Sequence, residues 1–176
     1  MKRKILLSTR AYKVMTNEVG YSDIEETGGV LLGYLHKNKI YVIEAIDGGP
    51  QKVASKSSFC FDREYVQHVS NKISNLYNPP LVLVGIWHKH NSFHEHPFSE
   101  DDENMHKETC SLVKGSVASI LFQYIENGKY IMNTYWVEEN TISEKVEFVL
   151  KKDCARLIKT IYRAEYIKAS LVRRMF

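Results

Sequence analysis

The run Leu81-Val82-Leu83-Val84-Gly85-Ile86-Trp87-His88 reaches its first polar side chain only at its last position. It is much too short to span a bilayer, and its continuous apolar character marks a strand buried on both faces. Such a strand needs neighbours in a sheet and helices over it. The fold class that follows is α/β, a single domain over residues 1–176 with a central mixed β-sheet flanked by helices.

The rest of the chain supplies those neighbours. Ser8 to Val19 reads as a helix capped by Ser8, with Ala11, Val14, Met15 and Val19 on one face. Gly29–Leu35 and Ile40–Ile46 read as a hairpin about His36-Lys37-Asn38-Lys39. A short strand is expected around Phe59 and Phe61. Asp62 then caps a helix to about Tyr77, with Tyr65, Val69, Ile73 and Leu76 inward. Ser99 opens another helix, and Val117–Tyr124 with Tyr130–Val137 forms a second hairpin about Asn127-Gly128. From Ser143 onward, Val146, Val149, Leu150, Leu157, Ile158 and Ile161 recur at helical spacing, predicting a C-terminal helical extension.

Charge and cysteine usage narrow the function. The 24 Lys and Arg against 21 Asp and Glu leave a net charge of +3, with the basic residues scattered, which argues against nucleic acid as a partner. No run is long and apolar enough for a membrane span. The basic opening is followed by only Ile5-Leu6-Leu7, too little for a secretory segment. Cys60, Cys110 and Cys154 are odd in number and far apart, as expected of small buried thiols in a cytoplasmic protein.

Chemistry concentrates where the apolar strand ends. His88 and His90 are two residues apart, so in extended chain both imidazoles point to one side and can approach one ion. Catalytic zinc takes three protein ligands and keeps a fourth position for water. Asp102, three residues after Ser99 in the first turn of a helix, is placed to be the third. Ser99-Glu100-Asp101-Asp102 also has the form of a capping box, which by itself would account for Ser99 and Asp102. Upstream, Glu26-Thr27-Gly28-Gly29-Val30-Leu31-Leu32-Gly33 sets a carboxylate at the mouth of a glycine-rich strand. From there it can take a proton from a metal-activated water.

Together, Glu26-x-x-Gly29-x-x-x-Gly33, His88-x-His90 and Ser99-x-x-Asp102 resemble the motif of the JAB/JAMM (MPN) metalloproteases, and its prokaryotic JAB group most. The resemblance runs from about Glu25 to Tyr135 and includes Phe59-x-Phe61-Asp62 before a helix. It implies a JAB/MPN, cytidine-deaminase-like domain in which His88, His90 and Asp102 hold Zn2+. Glu26 is then the general base, and Ser99 stabilises the tetrahedral oxyanion. It further implies an isopeptidase or peptidase cleaving after the C-terminus of a ubiquitin-like protein or its conjugate. Partners resembling ubiquitin-activating and ubiquitin-conjugating enzymes would be encoded nearby, in a conjugation or antiphage defence system. The alternatives are a non-catalytic MPN-type scaffold and a zinc hydrolase of small amides or short peptides.

The chain departs from the motif twice. Asn91 stands where the family usually has proline, and Asn91 to Phe98 is one residue longer than the usual spacing. Strict register would put Phe98 and Asp101 in the serine and aspartate positions. A one-residue loop insertion keeps Ser99 and Asp102, with Asp101 as the rival ligand. His94 and His96 form a second His-x-His, read as a solvated or substrate-facing loop rather than as ligands. His36, His68 and His106 are expected to be structural or exposed, and Trp87 to face away from the ligands into the core. The loop from Gly48 to Ser58 is a candidate groove wall.

Overall fold

A computed structural model describes residues 2–21, 25–92, 96–139 and 141–152, the side chains of 141–143 excepted. In chain order its elements are β1 (Lys4–Ser8), α1 (Thr9–Tyr21), β2 (Thr27–His36), β3 (Lys39–Asp47), β4 (Val53–Ala54), β5 (Phe59–Cys60) and α2 (Arg63–Ser74). They continue with β6 (Val82–His90), α3 (Glu100–Val113), β7 (Val117–Glu126), β8 (Lys129–Glu138), β9 (Thr141–Lys145) and β10 (Phe148–Lys151). The fold is α/β: among the described residues, three helices and a curled mixed sheet in the order β10-β1-β3-β2-β6-β7-β8-β9, with β4 and β5 as a separate hairpin.

The apolar run does become an interior strand. β6 pairs antiparallel with β2 and parallel with β7, whose return is made by α3. One sheet face packs on α1 through Ile5, Met15, Leu31, Trp87, Ile120 and their neighbours. The other lies under α2 (Val30, Leu32, Ile43, Ile86) and under α3 (Cys110, Val117, Leu121, Tyr135). Trp87 is fully buried on the α1 side, its indole N–H donating to the Ile46 carbonyl at 3.0 Å. The strand backbones approach closely where glycine leaves room: a Cβ on Gly29 would sit 1.7 Å from the Ile46 carbonyl oxygen.

Local signals explain most boundaries. Ser8 ends β1 and also caps α1, its Oγ accepting the Ala11 N–H at 2.9 Å while donating to Ile43 at 2.6 Å. Asp62 accepts the Tyr65 N–H at 3.1 Å. Asn127 and Gly128 both have positive φ, 51° and 72°, as the two-residue turn of the β7–β8 hairpin requires.

Four expectations need correction. Lys4–Ser8, where no element is expected, is a strand with Ile5 and Leu7 fully buried. Residues 141–151 are β9 and β10, not the start of a helix; residues 153–176 lie outside the described part, and with them Cys154 and the rest of the expected extension. Val146, Phe148 and Leu150 also alternate with period two, and β1 offers an open edge that β10 fills in parallel. Cys60 is exposed rather than buried, unlike Cys110. Leu76 is exposed as well, whereas Tyr65, Val69 and Ile73 pack inward under α2 as expected.

Only Val146 and Glu147 separate β9 from β10, yet these strands lie at opposite edges of the sheet. The sheet must therefore curl until its edges nearly meet. Arg3 closes that seam, binding Glu138 at 2.5 Å and Glu144 at 3.1 Å over the Trp136 ring. Gly29→Ala is expected to destabilise the domain by about 3 kcal/mol or more, since a backbone carbonyl cannot move aside cheaply. A urea unfolding midpoint equal to wild type would contradict it.

Candidate metal centre

The antiparallel register builds this site. Thr27 pairs with Lys89 and Gly28 with His88, so one further step sets Glu26 level with His90. The start of β2 thus lies beside the end of β6. Gly28 makes that closeness possible: a Cβ there would stand 2.9 Å from the His88 Cβ and 2.5 Å from the Trp87 carbonyl oxygen. The parallel return to β7 starts α3 above the end of β6 and brings its first turn over the two histidines.

His88 and His90 share one face, as strand alternation demands, with their Nε2 atoms 3.1 Å apart. Asp102 Oδ1 lies 3.2 Å from His88 Nε2 and Oδ2 lies 3.3 Å from His90 Nε2. Asp101 is exposed and belongs to the cavity wall, so the aspartate that meets the histidines is Asp102. The capping box is present too. Ser99 Oγ accepts the Asp102 N–H at 3.2 Å, and Asp102 Oδ2 receives the Ser99 N–H and hydroxyl, each at 2.8 Å. Capping and the approach to the histidines are thus one arrangement.

The donor set fits a metal. Two imidazole nitrogens and a carboxylate oxygen converge from a buried wall. Tetrahedral zinc with bonds of about 2.0–2.1 Å holds its ligand atoms about 3.3 Å apart, near the separations found here. Burial pushes His88 down to about 3, against the opposing pull of Asp102, so its lone pair is free of protons at neutral pH. For Asp102, burial acts upward, but hydrogen bonds from His90 and Ser99 and the proximity of His88 hold it below the usual carboxylate range. His88 and Asp102 can therefore meet an ion without first losing a proton.

Glu26 lines the same cavity, of about 480 Å³, with Phe59, Phe61, Phe98 and Ser99. Burial lifts its pKa to about 7; the Asp102 charge adds to the rise, while His90 and Lys89 oppose it. A carboxylate so poised near neutrality can both accept and return a proton. Its backbone N–H donates to Ser55 at 2.8 Å. Its neighbour Thr27 is held by Glu18 (3.0 Å) and Lys52 (3.2 Å), themselves paired at 2.5 Å.

Spacing offers no hint of that Glu18–Thr27–Lys52 cluster, whose members come from α1, β2 and the loop before β4. Nor does it mark Lys89, fully buried between the two histidines on the opposite face, with Nζ 5.3 Å from the Tyr130 ring. The Lys56-Ser57-Ser58 stretch forms part of the cavity wall, as expected of the Gly48–Ser58 loop. His96 is exposed at the cavity and stands outside the convergent trio; His94 lies outside the described residues. His68 is exposed and His36 half-buried, while His106 is buried against Ser119.

No protein-family model matches the chain. Over 66 residues it is 33% identical to a protein of Sinorhizobium fredii, a match covering 37% of this chain and 40% of that one. That relative is named Probable metalloprotease y4qB. The match therefore spans about two-fifths of the relative's length. The solution structure of protein DSY2949 from Desulfitobacterium hafniense aligns with a TM-score of 0.60 at 19% identity, over 84% of this chain and 93% of that one. This likeness is one of fold. Among the described residues no helix is long and apolar enough to cross a membrane.

The buried groups set a pH dependence for the metal-free protein. Burial lowers His88 and His106 from 6.5 to about 3 and about 4, so their stabilisation is complete above pH 6.5 and is lost as pH falls through the folded values. Glu26 acts oppositely: raised from 4.5 to about 7, its contribution is complete below pH 4.5 and is lost as pH rises through 7. Two groups against one make the urea midpoint rise with pH between 4.5 and 6.5. Glu26→Gln removes the opposing group, so its midpoint should climb more steeply there. A slope identical to wild type would mean that Glu26 is not held in the buried environment described.

Proposed function

We propose that this protein is a zinc metalloprotease of the JAB/JAMM type that hydrolyses an amide bond. The observation that carries the reading is the convergence of His88, His90 and Asp102 beside Glu26 in one cavity. The partial relative named a probable metalloprotease supports it. His88, His90 and Asp102 would hold the zinc ion, which when bound would supply Lewis acidity toward the scissile carbonyl and the attacking water near pH 7.

The remaining steps belong to the chain. Glu26 accepts the proton of the attacking water and delivers it to the departing amine, a task suited to a carboxyl poised near 7. Ser99 sits at the lip of the same cavity. Its hydroxyl, bound to Asp102 in the resting arrangement, turns to donate to the developing oxyanion. One such donor typically accounts for about 3 kcal/mol. The aromatic wall of Phe59, Phe61 and Phe98 excludes water around these charges.

For substrate, the motif resemblance favours the C-terminal tail of a ubiquitin-like protein or its conjugate. An extended tail suits this cavity, because the β4–β5 hairpin stands at its wall and a strand can be added to a hairpin edge. Enzymes resembling the ubiquitin-activating and ubiquitin-conjugating ones are the partners that such a substrate requires, in a conjugation or antiphage system.

Wild type should bind one equivalent of zinc by mass spectrometry or chelator competition, and His88→Ala should not. Glu26→Gln is expected to retain zinc and lose turnover of a ubiquitin-like fusion, whereas Ser99→Ala should lower kcat about 100-fold. Turnover of Glu26→Gln at the wild-type rate would refute the base assignment. Cleavage of short peptides but not of the fusion would refute the substrate assignment alone.

A further inference from the structure

The inward face of α3 presents Asp102, His106, Thr109 and Cys110 in turn, with His106 one turn after Asp102. Helical periodicity calls for an aliphatic residue at position 106. The chain instead buries an imidazole there, only 2% exposed. Desolvating a polar ring is costly unless a partner satisfies it. The partner comes from the strand below: Ser119 of β7 is fully buried, and its Oγ lies 2.8 Å from His106 Nε2. Phe98, just before the helix cap, sets its ring edge-on to His106 at 4.6 Å and to Tyr135 at 4.8 Å.

A hydrogen bond of this kind does what an apolar contact would not. Aliphatic side chains tolerate sliding and rotation of a helix over a sheet, whereas one short polar contact between two buried groups is satisfied in a single register. The register matters because of Asp102. A helical side chain reaches about 5–6 Å from the helix axis, so turning α3 by about 10° would swing the carboxylate by about 1 Å. Metal-ligand distances tolerate deviations of only about 0.2 Å.

We propose that His106 and Ser119 are positioning residues for the metal centre, their hydrogen bond fixing the rotation of α3 on β7. That bond holds the Asp102 carboxylate at the distance from His88 and His90 that a shared ion requires. The inference rests on the metal-binding reading above and adds to it two residues that touch neither ion nor substrate.

The test is zinc affinity of the full chain, measured with Zn2+ alone by competition against a chromophoric chelator, with urea unfolding as the check on folding. His106→Leu should bind zinc about 10–100-fold more weakly, the range found when groups supporting a metal ligand are removed. His106→Gln, whose terminal amide nitrogen takes the place of Nε2, should restore affinity close to wild type. Ser119→Ala should weaken binding too, and the double variant His106→Leu/Ser119→Ala should be no weaker than the weaker single one. If His106→Leu does not fold, Ser119→Ala and His106→Gln decide the matter. Wild-type affinity in Ser119→Ala, no rescue by glutamine, or additive losses would overturn the proposal while leaving the metal site standing. A wild-type chain that takes up no zinc would overturn the metal reading and this inference with it.

Discussion

The site depends on one antiparallel pairing, Gly28 opposite His88. It sets the start of one buried strand against the end of another, and every other placement follows. Because β2 and β6 run in opposite directions, the residue before β2 is level with the last histidine. Because β7 runs parallel to β6, the connecting helix must begin where β6 stops. A carboxylate at a strand entrance and another in a helix's first turn, 76 positions apart, thus line one cavity with the same two imidazoles. A slip of one residue in β2 would turn its alternation inside out. The two contacts that a Cβ on Gly28 would violate leave little freedom for such a slip.

The same arrangement concentrates polar groups where a fold gains least from them. Two buried histidines and a half-buried aspartate face one another, and Glu26 joins them at a raised pKa. α3, which carries Asp102, packs inward through His106, Thr109 and Cys110 rather than through a leucine stripe. α2 has no fully buried residue at all. The stability that offsets this lies on the other face of the sheet, where α1 closes a core containing Trp87, Met15, Ile5 and Leu31. The α1 face of the sheet is given to packing alone, whereas the other divides between packing under α2 and α3 and the polar site.

That division decides what could be read from the chain beforehand. Patterns confined to a few neighbouring residues were legible: the all-apolar run, the His-x-His alternation, the asparagine–glycine turn and the caps at Ser8, Asp62 and Ser99. A capping box and an approach to the histidines are two separate explanations of Ser99 and Asp102, and they coincide. The N3 carboxylate that folds back on its cap is also the one turned toward the histidines, which separates Asp102 from Asp101. The misreadings arose where a pattern fitted two periods or where a partner lay far off in sequence. Val146 to Leu150 satisfies both helix and strand spacing, and only the vacant edge of β1 chooses between them. Glu18, Thr27 and Lys52, or His106 and Ser119, become neighbours only when the sheet has formed.

The eight residues between His90 and Ser99 show how such a site can accommodate a change of length. Phe98 sits in a slot walled by His106, Tyr135 and, at 6.3 Å, His88. Moving the helix start by one residue would pull this ring out and put the Ser99 hydroxyl in its place. That exchange would cost about 1–2 kcal/mol of apolar burial for this half-buried ring, besides the desolvated hydroxyl. Slot and cap together pin the beginning of α3, so added length must be absorbed before Phe98. The segment that absorbs it includes Ser92 and His96, which line the cavity. Loop length is therefore free to vary without disturbing Asp102, and what varies with it is the surface that an incoming substrate would meet.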